Sequence, residues 1–268
     1  MAIVLDNITY TYGVGTPFEK TALRGVSLTI ENGEFLGVIG HTGSGKSTFV
    51  QHLNGLLHPT TGTVTVNGVD ISASTEEAKK MRHKVGMVFQ YPEHQLFEET
   101  IAQDIAFGPK NLGLSADDVD ERVRDAMKFV GLDYDTYAER SPFHLSGGQM
   151  RRVAIAGVVA MDPDFLVLDE PSAGLDPFGR EEIFEEIIRL HKEKGITVIL
   201  VSHNMEDISR MASRLVVFDK GRIVLDGEPM DIFNNHRDEL QAVGVDVPPV
   251  SVTMEYLREQ GFDVSNRV

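Results

Sequence analysis

Gly40-His41-Thr42-Gly43-Ser44-Gly45-Lys46-Ser47 is the stretch on which the reading of this chain turns. It follows Phe35-Leu36-Gly37-Val38-Ile39, an apolar run of strand length, and opens a helical segment that runs to about Leu56. A strand, a glycine-rich octet of this spacing and a helix, in that order, make a phosphate-binding loop. The glycines let backbone N–H groups turn inward onto phosphate oxygens, and the helix N-terminus adds its positive dipole. Lys46 then reaches the terminal phosphates and Ser47 offers a hydroxyl to Mg2+, with Thr48 next on the same helix.

Downstream, Phe165-Leu166-Val167-Leu168-Asp169-Glu170 reads as a buried strand that ends in two adjacent carboxylates. Alone, such a run is more often a strand meeting a polar loop. With a phosphate loop upstream, Asp169 fits as the partner of Mg2+ and Glu170 as the group that orients and deprotonates an attacking water.

Val85 to Phe89 and Thr197 to Val201 add two more buried runs, and four such strands separated by helical stretches predict a parallel sheet in an α/β fold. Two strand-like runs at the start, Ile3 to Tyr12 and Val26 to Ile30, flank the turn-rich Gly13 to Pro17 and predict an antiparallel flap. Between Pro92 and Leu145 the pattern is helical without a strong strand, which suggests an inserted helical subdomain. Within it Ser115 caps a helix whose Val119, Val123, Met127 and Val130 share a face, and Gly131 ends it. Asp176-Pro177 opens another helix, with Asp as cap and Pro at the first helical position. Asp219-Lys220-Gly221-Arg222 is a hairpin turn. The core ends near Met230, and a short appendage follows with a helix expected over Val252 to Gln260.

With 268 residues and 41% apolar content the chain can bury one substantial core and a small appendage. The absence of cysteine excludes disulfides, thiolate catalysis and cysteine-held metal sites, and fits the cytosol. A formal charge of −16 argues against extended nucleic-acid binding and favours solubility. The first residues lack a basic segment followed by an apolar stretch, so no secretory signal is expected. Runs such as Val153 to Met161 fall short of the roughly 20 residues that span a bilayer.

Leu145-Ser146-Gly147-Gly148-Gln149 decides the family, because such a pentapeptide arises by chance in on the order of one chain in several thousand. It is the signature of ABC ATPases, which the chain resembles over essentially its whole length. Physically it is another anion-binding helix N-terminus, where Ser146 and the glycine amides point at phosphate. The resemblance implies ATP and Mg2+, and a sandwich dimer in which the signature of one subunit closes over the phosphate loop of another. It also implies roles for Gln90 in the glutamine loop, where it meets Mg2+, for Ser172-Ala173-Gly174-Leu175-Asp176 as the D-loop, and for His203 as the switch histidine. Tyr12 matches the ring that stacks on adenine, although Tyr10 lies on the same strand face. Glu170, His203 and Gln90 form the expected catalytic set. Ser47, Gln90 and Asp169 form the expected metal set. Met150 stands where many family members have a polar residue.

Val85 to Phe97, followed by Asp104-Ile105-Ala106-Phe107-Gly108-Pro109, resembles the ATPase subunits of energy-coupling-factor (ECF) importers of vitamins and some metals. Gly40-His41-Thr42, Ser141-Pro142-Phe143 and Met150-Arg151-Arg152 resemble the second of their two ATPase subunits. This implies an ATP-binding domain over 1–230, with a helical subdomain at about 92–160, and an appendage over 231–268 that contacts a dimer partner. It further implies a related ATPase subunit as heterodimer partner, an integral membrane coupling subunit, a separate membrane substrate-binding subunit, and a peripheral location on the cytoplasmic face of a bacterial membrane. Tyr91 to Phe97, with Tyr91, Leu96 and Phe97 as its large apolar side chains, is expected to dock on the membrane subunit, the alternative being a hydrophobic plug inside the helical subdomain. The competing reading is a soluble ABC ATPase without transport, but no long coiled-coil insertion, second core or basic nucleic-acid face is evident. A non-hydrolysing regulatory subunit is opposed by Glu170 and His203.

Overall fold

The elements follow the periodicities of the sequence in the computed structural model, which describes residues 2–248 together with Thr253, Leu257 and Gln260. Along the chain they are β1 (Ala2–Tyr12), β2 (Lys20–Glu31), β3 (Phe35–Gly40), α1 (Lys46–Leu53), β4 (Thr61–Val66), β5 (Val69–Asp70), α2 (Glu76–His83) and β6 (Val85–Val88). A 3-10 turn at Pro92–Gln95 precedes α3 (Ile101–Asn111), α4 (Ala116–Phe129) and α5 (Tyr134–Tyr137). After a second such turn at Pro142–His144 come α6 (Gly147–Val159), β7 (Phe165–Asp169), α7 (Pro177–Lys194), β8 (Thr197–Val201), α8 (Met205–Met211), β9 (Arg214–Asp219), β10 (Arg222–Gly227), α9 (Pro229–Asn235) and α10 (Arg237–Ala242). The chain divides into two units, one holding Met1–Arg82 and Thr197–Val268, the other His83–Ile196.

In the first unit β1 pairs antiparallel with β2, Ile3 opposite Ile30 and Leu5 opposite Leu28. The sheet order is β2-β1-β4-β5. The expected flap is therefore present but wider. β2 begins at Lys20 rather than Val26 because its pairing with β1, Tyr12 opposite Lys20, fixes its length rather than its apolar content. β4 opens with the exposed Thr61-Gly62-Thr63, which carries too little hydrophobic signal to be read as a strand in advance.

The unit's remaining strands run β10-β9-β3-β8. β3 is parallel to both β8 and β9, and β10 turns back antiparallel on β9 with Arg222 opposite Asp219. Every residue of β3 is buried, as a strand covered on both faces requires. Phe49 of α1 meets Phe218 of β9 with ring centroids 5.0 Å apart, so the helix after the glycine-rich octet is anchored beside the strand before it. α9 and α10 bury Ile232, Phe233 and Leu240. The helix expected over Val252 to Gln260, and Pro249 before it, lie outside the described residues apart from Thr253, Leu257 and Gln260.

In the second unit β6 and β7 pair in parallel, Val85 opposite Phe165. Between Pro92 and Leu145 the described structure is helical, as expected. Ser115 caps α4 by accepting from Asp118 N at 3.2 Å, and Val119, Val123, Met127 and Val130 are buried together. Gly131 ends the helix region at a φ of 71°. α6 packs on both α3 and α4, which sets the direction of its N-terminus.

Candidate nucleotide site

The phosphate loop sits where β3 ends. Gly40 has a φ of 147°, and a Cβ there would meet the Phe218 carbonyl oxygen at 2.3 Å and Ser44 Oγ at 2.8 Å. Only glycine fits that close approach. Lys46 is 6% exposed, and its Nζ donates to the carbonyls of Gly40 at 2.5 Å and His41 at 3.1 Å. The ammonium is thus held inside the ring of the loop. Ser44 N donates to His41 O at 3.1 Å, and Ser44 Oγ is fully buried with no hydrogen-bond partner among the described residues. Thr42, Gly43 and Ser47 are exposed, and a Cβ on Gly43 would meet nothing within 4 Å, so the loop presents an open face. Gly45 precedes the first turn of α1.

The hairpin between β9 and β10 braces this loop, a function its turn residues did not reveal. Gly221 N donates to Ser44 O at 2.7 Å, and a Cβ on Gly221 would lie 2.4 Å from the Ala22 carbonyl oxygen. His41 Nε2 lies 3.1 Å from Asp219 Oδ1, and His41 Nδ1 lies 2.8 Å from the Thr42 carbonyl. The glycine in Asp219-Lys220-Gly221-Arg222 was the available signal, but a hairpin turn alone does not say what its backbone touches.

Beside the loop, Tyr12 OH and Thr48 Oγ1 share a hydrogen bond of 3.1 Å, and Tyr12 is 41% exposed. Tyr10, half-buried, meets Tyr12 edge-on with centroids 4.8 Å apart and His52 edge-on at 4.9 Å. Burial, then Tyr12, raises the Tyr10 phenol above its ordinary value. His52 is fully buried and donates through Nδ1 to the Thr48 carbonyl at 2.7 Å; burial lowers its pKa and keeps it neutral. In the same unit His203 is exposed and follows β8, just before Asn204, whose side chain caps α8 by accepting from Glu206 N and Asp207 N.

In the second unit, Ser146 and Gln149 form a reciprocal cap on α6. Ser146 Oγ accepts from Gln149 N at 3.3 Å, and Gln149 Oε1 accepts from Ser146 N at 3.1 Å. A Cβ on Gly147 or Gly148 would meet nothing within 4 Å, so the helix N-terminus is uncovered among the described residues. Asp169 ends β7 and is 9% exposed. Glu170 follows in left-handed backbone at a φ of 52°, an uncommon state for a non-glycine residue that concentrates at functional sites. Ala173 N closes that turn on the Glu170 carbonyl at 3.1 Å. Asp176 caps α7 by accepting from Gly179 N at 2.7 Å. Gln90 is exposed after β6, followed by Tyr91 at a φ of 57°.

Arg151 is a residue whose placement the sequence reading did not anticipate. It is 1% exposed, and it ties the segment after Gln90 to the segment after Glu170 through Glu93 and the Ala173 carbonyl. A charged residue at an inward position of an amphipathic helix was the available signal.

Residues 23–173 match the family model for ABC transporters. The chain is 55% identical over 268 residues to the energy-coupling factor transporter ATP-binding protein EcfA2 of Clostridium tetani, covering all of this chain and 93% of the relative. Its fold is similar to that of cbiO1 from Clostridium perfringens, part of the ABC transporter complex cbiONQ, with a TM-score of 0.78 and 36% identity over 94% of this chain and 98% of that one. It is also similar to the ATP-binding cassette MJ0796, solved as a dimer bound to ADP and Pi, with a TM-score of 0.74 and 30% identity over 85% of this chain and 98% of that one.

Proposed function

The chain belongs to the ABC transporter family, and from that premise we propose that it binds and hydrolyses ATP to energise an ECF-type importer of vitamins or other micronutrients. It acts as a peripheral subunit at the cytoplasmic face of a bacterial membrane, paired with a related ATPase subunit. An integral membrane coupling subunit and a separate membrane substrate-binding subunit complete the assembly. The observation that carries this reading is the pair of phosphate-facing helix N-termini on one chain, the ring around Lys46 and the capped, open end of α6 at Ser146. Among the described residues no helix is long and apolar enough to cross a membrane, so transport requires partners that do.

Lys46 and the loop amides hold the β- and γ-phosphates, and the Tyr12 ring, the more exposed of the two, rather than the half-buried Tyr10, takes adenine. Among the described residues there is no cage of three His, Cys, Asp or Glu side chains, whereas a hydroxyl from Ser47, the Asp169 carboxylate and the Gln90 amide match the few oxygen donors that Mg2+ takes beside phosphates. Mg2+ bound there supplies neutralisation of the charge on the phosphates. Glu170 accepts the proton of the attacking water, His203 stabilises the γ-phosphate, and the partner's signature closes the site opposite Lys46. Ser146, Gly147, Gly148 and Gln149 of this chain, with Asp176, do the same for the partner's site.

Docking on the membrane subunit runs through Tyr91 and Phe97, which are 44% and 57% exposed, together with Phe107, which packs edge-on to Phe97 at 4.9 Å. Leu96 is not part of that face, because it is only 8% exposed and turns into the helical core. The appendage over 231–268 contributes to the dimer contact.

Glu170→Gln keeps the side-chain shape but cannot accept the proton. In the assembled complex it lowers turnover by roughly 10²–10⁴-fold while ATP binding stays nearly intact. Near-normal ATPase activity in that variant would reject the assignment of Glu170 as base.

A further inference from the structure

Arg151 is a buried cation that the reaction as described does not use. Its guanidinium divides its donors between two segments: Nε and Nη2 donate to the Glu93 carboxylate at 3.3 Å and 3.4 Å, and Nη1 donates to the Ala173 carbonyl at 2.8 Å. A guanidinium is a rigid planar fork, so bonding both partners fixes their relative direction as a flexible ammonium would not. Each partner stands just after a non-glycine residue held in left-handed backbone: Glu93 two residues beyond Tyr91, and Ala173 three beyond Glu170. Backbone of that kind persists only where its surroundings over-determine it. Those surroundings are visible here. Ala173 N closes the turn on the Glu170 carbonyl at 3.1 Å, and a Cβ built on Gly174 would lie 3.7 Å from Cε1 of the Tyr91 ring. Arg151 itself stands on α6, two residues beyond the Gln149 that completes the cap at Ser146.

We propose that Arg151 is a positioning residue for hydrolysis: it fixes the Ala173 carbonyl, and with it the turn that aims Glu170, and through Glu93 it makes that aim depend on the segment after Gln90. The inference rests on Glu170 as the base. It goes further in giving the chain a direct mechanical link between the surface proposed to dock on the membrane subunit and the catalytic carboxylate. No covalent step is added.

The test is steady-state ATP hydrolysis by the purified assembled complex carrying Arg151→Met, Arg151→Lys, Glu93→Gln, Arg151→Met with Glu93→Gln, or Glu170→Gln, with melting temperatures measured alongside. Misplacing a reacting group by about 1 Å costs on the order of 10²-fold, so Arg151→Met is expected to lower kcat by roughly 10- to 100-fold while KM for ATP changes by less than about threefold. Arg151→Lys recovers part of kcat, because an ammonium reaches one partner at a time. The double variant is no slower than Arg151→Met alone, since both substitutions break the same link. A kcat for Arg151→Met within about twofold of the parent, or a raised KM with kcat intact, overturns the proposal. If Arg151→Met does not fold, Glu93→Gln decides: a lowered kcat at an unchanged melting temperature supports the link, and an unchanged kcat overturns it. If Glu170→Gln retains turnover, the base assignment and this inference both fail. If Glu170→Gln loses turnover while Arg151→Met turns over normally, only this inference fails.

Discussion

Glu186 stands on α7 with Arg152 of α6 beside it, Nη1 lying 3.8 Å from Oε1; Arg189 lies nearby on its own helix, and Glu182 shares Arg152. Its Oε2 is buried and makes no hydrogen bond among the described residues. Burial therefore outweighs the two arginines and pushes the carboxyl up to about 7, against an ordinary 4.5. Between those values the folded chain holds a proton that the unfolded chain has released. Folding stability accordingly falls as pH rises from about 4.5 to about 7, and the whole cost is in place above that window. Glu186→Gln removes the titration. Parent and variant should melt together near pH 5, and the variant should melt higher near pH 8, by on the order of 1 kcal/mol once solvent screening is allowed for. A variant that melts lower near pH 8 would mean that the pair with Arg152 outweighs burial.

The stretch between β6 and α3 shows how one short element serves two environments. Pro92–Gln95 forms a 3-10 turn, after which Phe97 N and Glu98 N donate to Asp104 Oδ2 on α3 at 3.2 Å and 3.0 Å. That anchor turns Leu96 inward and Phe97 outward, although the two are adjacent and both apolar. The variants should separate accordingly. Leu96→Ser leaves a cavity and buries a hydroxyl, and should cost roughly 2–4 kcal/mol in unfolding free energy. Phe97→Ser should leave stability within about 0.5 kcal/mol and impair assembly with the membrane subunit, as read by co-purification from solubilised membranes. Normal assembly of Phe97→Ser, or a large loss of stability in it, would remove Phe97 from the docking surface.

For the whole molecule, the proposed role of the two helix ends, each facing phosphate, means that neither finishes a site alone. In the proposed assembly the ring around Lys46 binds triphosphate from one side, and a signature supplied by another subunit closes the other. ATPase activity should therefore rise with the concentration of the partner ATPase subunit and vanish in dilute, demonstrably monomeric chain, as measured by hydrolysis assays across a dilution series with the oligomeric state followed by light scattering. Robust hydrolysis by the monomer would contradict the shared site.

The sequence by itself determined the α/β fold, the phosphate loop, the signature cap and the family, because each is a local pattern. Gly40 to Ser47 and Leu145 to Gln149 carry their chemistry in residue type and spacing, and β3, β6, β7 and β8 carry theirs in unbroken apolar runs. What is settled by contacts between residues far apart in the chain was not legible. β4 owes its existence to pairing with β1 rather than to its own weak signal. The brace of Gly221 on Ser44 spans 177 positions and the pair of Arg151 with Glu93 spans 58, so no window of sequence contains either. Leu96 and Phe97 differ only in which way a loop anchored by Asp104 happens to face. Hydrophobic period and turn chemistry act over a few residues, whereas the direction of a side chain in a loop and the partner of a buried cation follow from packing, which only the tertiary structure decides.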